Sequence, residues 1–151
     1  MTDATPENAK SEEAIPVPDY DQADWFLQSL INIVNGSGIT FSITLNVGGQ
    51  TITGQLVGGK QYFEGFADAF SGALPDKEEA EQVRADFASY GNIYANEDGT
   101  PKDLSPPHYI HLKNARCFPT AGNSIPANGG VWWRGRISQV DGFFLGELSP
   151  S

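Results

Sequence analysis

Cysteine is nearly absent from this chain. Cys117 is the only one, so no disulfide can form within it, and a thiolate metal site would need its other ligands from elsewhere. No stretch approaches the roughly 20 consecutive apolar residues of a membrane-spanning helix. The N-terminal "MTDATPENAKSEEAIPVPDYDQ" lacks the basic start and apolar run of a secretory signal. A protein of the reduced cytoplasm is therefore expected. Basic residues are scarce as well: 9 lysines and arginines face 19 acids, for a formal charge of −10 and a pI near 4.4. That balance argues against a general nucleic-acid or anionic-membrane binder, because neutralising phosphates requires a basic surface. Histidine occurs twice, at His108 and His111. Their odd separation would put them on opposite faces of a strand, where they cannot chelate one ion together.

The motifs of common catalytic sites are missing too. "NVGGQT" and "LVGGK" lack the spacing of a phosphate-cradling loop, and there is no G-x-S-x-G and no paired-histidine zinc motif. The acidic run "DKEEAEQ" reads as the solvated face of a helix. Cys117, without a histidine motif nearby, reads as a small packing residue. Neither a cofactor nor an enzymatic activity is expected.

Charge is unevenly spread along the chain. Residues 1 to 24 hold seven acids and one lysine, residues 25 to 63 carry Lys60 alone, and residues 64 to 103 hold ten acids against three bases. Residues 104 to 151 reverse the sign, with four bases and two acids. Residues 1–20 are acidic, proline-containing and poor in large apolar side chains, a composition that cannot offset the entropy of ordering, so a flexible acidic tail is expected there. Residues 21–151 are expected to form a single α+β domain.

Periodicity divides that domain into elements. In "DWFLQSLINIVNGSG", Phe26, Leu30, Ile33 and Val34 recur with helical spacing, Asp24 or Asp21 can cap the start, and Asn35-Gly36 can stop the helix. "ITFSITLNVGGQTITGQLV" alternates apolar and polar residues around Gly48-Gly49 and predicts a hairpin. Gly54, at an inward position, suggests a bend in the second strand. Helical spacing returns with Tyr62, Phe63, Phe66 and Phe70. A second helix is predicted from about Pro75 to Tyr90, with Ala80, Val83, Phe87 and Tyr90 as its buried stripe. Residues 91–107 read as a polar loop. "HYIHLKNARCF", with Asn114 as a bulge or turn, and "VWWRGRISQ" read as strands. Asp141-Gly142 reads as a hairpin turn leading into "FFLGEL". Glycine-punctuated strands, an N-terminal helix and an inserted helical pair predict a small, strongly bent antiparallel β-barrel.

The segment from Val131 to Leu148 carries the candidate functional residues. On a strand, Val131, Trp133, Gly135 and Ile137 share an inward face, while Trp132, Arg134 and Arg136 share the other. An indole beside two guanidinium groups suits cation–π stacking and pairing with carboxylates. Two readings follow. The three side chains cover the barrel and neutralise the protein's own acidic helix, or they form an exposed docking patch, since Trp and Arg are enriched at binding hot spots. In the second reading Trp132, Arg134 and Arg136 bind a partner.

The blocks "FSITLNVGGQTITGQLVGGKQYFEGFADAF", "YIHLKN" and "WRGRISQVDGFFLGEL" make the chain similar to the gas vesicle accessory protein U family, over roughly residues 25 to 149. The resemblance implies a non-enzymatic accessory of gas vesicles, associated with their assembly or clustering in the cytoplasm. Its implied partners are gas vesicle shell or other accessory proteins. Separately, the acidic tail and helix opposite a basic C-terminal segment predict head-to-tail self-association that weakens as salt rises. No cofactor or catalytic residue comes with it. The layout also resembles the small barrels of the Sm-like class, which makes an oligomerising RNA-binding module the alternative function; the net charge argues against it.

Overall fold

Helix α1 (Trp25–Ser37) starts where Asp24 accepts a hydrogen bond from the Phe26 N–H at 3.0 Å, and it ends at Gly38, whose φ of 75° closes the last turn. The cap is one of the two expected, while the stop lies beyond Asn35-Gly36. The computed structural model describes residues 22–96, 106–119 and 123–149. The expected acidic tail, residues 1–20, lies outside the described residues. Leu27, Ile31 and Val34 are the buried stripe of α1, whereas Phe26 and Ile33 are exposed. The helix is apolar on more than one face: of the expected stripe Val34 is buried and Leu30 is half-buried against the core, while period alone missed Leu27 and Ile31.

Strands β1 (Phe41–Val47) and β2 (Gln50–Val57) form the expected hairpin, with Gly48 and Gly49 at φ 56° and 82°, the left-handed pair that a tight turn between twisted strands requires. Ile43, Leu45, Ile52 and Leu56 point to one face, where α1 packs, joined by Ile110 and Leu112 of β3 (Tyr109–Phe118). Gly54 lies on that face too. A Cβ there would stand 3.0 Å from the Lys113 carbonyl, so the absent side chain lets β2 and β3 meet at the irregularity between Thr53 and Gln55. The bulge expected near Asn114 is present: its φ is 54°, and the β3–β4 register shifts between Leu112 and Ala115.

The five strands form one antiparallel sheet in the order β4-β3-β2-β1-β5, with β4 spanning Val131–Arg136 and β5 Gly142–Leu145. This corrects two expectations. The sheet is not closed into a barrel, and Asp141-Gly142 is not a hairpin turn, because β4 and β5 occupy opposite edges and do not pair. The link between them is a 3-10 turn, Ile137–Gln139, whose Ile137 is buried in the core. Ile137 N–H donates to His108 O beside the start of β3, and Asp141 N–H donates to Asn46 O near the end of β1. The link thus carries the chain across the sheet, and β5 uses its hydrogen bonds on β1 rather than on β4.

The second face of the sheet carries polar and aromatic groups. Buried Thr44 donates to Gly146 O at 2.7 Å, its hydroxyl lies 3.0 Å from that of Thr53, and Thr53 accepts from Leu148 N–H at 2.9 Å. This relay straps residues 146–148 over β1 and β2, and it satisfies hydroxyls that would be costly to bury alone. Helix α2 (Gly59–Ser71) lies against β3 and β4 on this face, followed by α3 (Lys77–Ser89). Asp76 caps α3, accepting from Glu78 and Glu79 N–H. No residue of α3 is fully buried; it leans on α2 through Phe87, whose ring is 5.1 Å from Phe70 and 5.6 Å from Phe66.

Candidate partner-binding surface

Register places the three expected residues on one face. Tyr109 lies opposite Arg136 and His111 opposite Arg134, and the same face carries Trp132 with Lys113 alongside. Trp132, Arg134 and Arg136 therefore share a face as expected, and Trp133 packs on the core. Of the expected inward set, Val131 is 47% exposed at the start of the edge strand, and Ile137 reaches the core from the 3-10 turn rather than from β4. What covers the Trp132 face was not legible in the strand itself. Trp132 lies against Gly65 of α2, where any Cβ would overlap the indole, and it meets Tyr62 edge-on at 6.1 Å. Gly65 is in effect the socket for the ring.

Arg134 is half-buried and enclosed. Its guanidinium stacks 3.8 Å from the Tyr109 ring centroid and 5.3 Å from that of Phe63. Nη1 donates to Tyr94 Oη at 3.0 Å and lies 2.7 Å from His111 Nε2. A guanidinium has no acceptor, so Nε2 accepts and the neutral imidazole carries its proton on Nδ1. His111 is 1% exposed. Its burial, reinforced by the Arg134 charge, pushes its pKa down from 6.5 to about 3. Burial likewise pushes the Tyr62 phenol up, with Arg134 opposing.

Arg136 is the exposed member of the set. It borders a groove of about 720 Å³ lined also by Gln28, His108, Tyr109 and Ser138. The ion pairs among the described residues, Lys60–Glu64 and Arg84–Glu81, each lie within one helix, so the two arginines of β4 do not neutralise α3 there. Cation–π contacts and neutral acceptors hold Arg134 instead.

The family described as "Gas vesicle protein GvpU-like" matches residues 24–148. The chain belongs to this gas vesicle protein family. The match runs from the cap of α1 to the strap after β5, so it takes in every element described above. Neither a curated protein nor a solved structure matches the chain. Among the described residues, no helix of this family member is long and apolar enough to cross a membrane, and no group of His, Cys, Asp and Glu could hold a metal ion.

Two features of this gas vesicle-related protein escaped sequence reasoning. Tyr94, in the segment read as a polar loop, follows a 3-10 turn at Tyr90–Ile93 that aims its hydroxyl at Arg134. No local pattern announces it. The other feature is an apolar groove of about 330 Å³ between α1 and the β1–β5 edge, lined by Phe26, Leu30, Phe41, Ser42, Phe143 and Leu145. Its signal was present in α1, which has more large apolar residues than one buried stripe can use.

Proposed function

We propose that the protein is a non-enzymatic gas vesicle accessory factor that acts in vesicle assembly or clustering through contacts with shell or other accessory proteins. The observation that carries this reading is the end of β4: an edge strand whose exposed Arg136 borders a groove shared with Gln28, His108 and Ser138, with Trp132 and Arg134 half-buried behind it. Those two side chains anchor the strand to α2 and to Tyr94, which holds Arg136 in place to meet an acidic segment of a partner. Trp132, Arg134 and Arg136 thus act as one docking element, the first two as its base and the third as its contact. An exposed cation attracts such a partner weakly and is screened by salt.

Co-flotation with purified vesicles tests this. Wild-type protein is expected to float with vesicles at low salt and progressively less as salt rises, whereas Arg136→Glu stays behind with an unchanged circular dichroism spectrum. Equal flotation of the two would refute the role of Arg136. Deleting the protein from a vesicle-producing cell separates the two roles: altered spacing at normal number means clustering, and lost vesicles mean assembly.

A further inference from the structure

The chain enters the described fold at Gln22, and Gln22 and Ala23 line two neighbouring grooves. One, of about 720 Å³, is the groove of Arg136, His108 and Tyr109; the other, of about 590 Å³, runs past Asp24 and Asp141 toward Phe143. The two differ in charge. The first has no carboxylate in its lining, and no ion pair among the described residues engages Arg136. The strands beside it, β3 and β4, hold Lys113, Arg116, Arg134 and Arg136 and no acid. The second groove holds two acids and no base.

Residues 1–21 lie outside the described residues, and they carry six acids against Lys10. Two of those acids, Asp19 and Asp21, come just before Gln22 in the chain. Asp19 is three positions away, about 10 Å of extended backbone. Carboxylates on so short a tether meet a guanidinium in the adjoining groove at an effective concentration on the order of millimolar, so a contact within the chain outcompetes the same contact between dilute copies. Entry point and charge select the same occupant for the Arg136 groove. Like charge at Asp24 and Asp141 disfavours it in the other.

We propose that the acidic N-terminal segment docks on the Arg136 groove of its own chain through Asp19 and Asp21, and so occludes the contact by which the protein meets a partner. The occlusion rests on the function proposed above, whereas the docking stands without it. An exposed ion pair is weak and screened by salt, so the segment acts as a threshold rather than a lock. A single stray carboxylate does not displace it. A partner presenting several acids in one stretch does.

Disulfide trapping in the full chain, with Cys117→Ser as background, tests the docking. Tyr20→Cys is paired either with His108→Cys in the Arg136 groove or with Gly142→Cys in the other, where a Cβ meets nothing closer than 3.6 Å. At low salt the ratio of the two rates of intrachain closure is expected to favour His108→Cys, and to fall about fivefold when Arg136→Glu is added. A ratio unchanged by Arg136→Glu, or disulfides between two chains in place of one within the chain, would overturn the proposal. Co-flotation tests the occlusion. Asp19→Asn with Asp21→Asn is expected to bind vesicles about fivefold more tightly than wild type. Glu78→Gln with Glu79→Gln, the same change in net charge made at exposed positions of α3, is expected to bind like wild type. Equal flotation of these two double variants would refute the occlusion. Should Arg136→Glu float like wild type, the occlusion falls with the contact proposed above, and the trapping ratio alone upholds or refutes the docking.

Discussion

His111 should make this protein acid-sensitive well above the range where carboxylates titrate. Enclosed by Tyr62, Phe63, Tyr94 and Arg134, it holds a pKa of about 3 in the folded chain against 6.5 without that environment. The unfolded chain therefore takes up the proton first. The stability due to the neutral imidazole is fully present above pH 6.5 and is lost as pH falls from there toward 3. Near the middle of that window the slope approaches about 1.4 kcal/mol per pH unit, and between pH 7.5 and 5 the loss is about 2 kcal/mol. Urea unfolding followed by circular dichroism at a series of pH values measures it. His111→Gln keeps an acceptor for Arg134 but cannot titrate, so its unfolding free energy is expected to be nearly flat over the same interval. Equal losses in wild type and variant, or an NMR titration placing the His111 ring near 6.5, would refute the reasoning.

Gly65→Leu is expected to displace Trp132 from α2 and destabilise the fold by about 1–3 kcal/mol or more, through overpacking; a lowered urea midpoint and red-shifted tryptophan emission are the readout. Thr53→Val removes the acceptor of the Leu148 N–H and interrupts the relay to Thr44, at an expected cost of about 1–3 kcal/mol, with faster amide exchange at Leu148. Asp76→Ala removes the cap of α3 for about 1 kcal/mol, seen as a lowered urea midpoint with the β-sheet signals of the NMR spectrum unchanged.

The elements were legible because their local signals are strong. Gly48-Gly49 between alternating strands permits little but a hairpin, Asp24 and Asp76 cap the helices that follow them, and Asn114 takes the positive φ of a bulge. Alternation also placed Trp132, Arg134 and Arg136 on one face of β4. Where two apolar stripes compete, as in α1, period could not choose. The choice of Leu27, Ile31 and Val34 belongs to the sheet that buries them.

By itself, then, the sequence determined the α+β composition, the family and the uncharged stretch from Trp25 to Gly59. The tertiary structure alone decided that β4 and β5 stand at opposite edges, and that Trp132 and Arg134 are half-enclosed while Arg136 is exposed. The physical reason is range. Turn chemistry, caps and alternation act between residues a few positions apart. The enclosure of Arg134 depends on Phe63, Tyr94, Tyr109 and His111, which only the folded chain brings together.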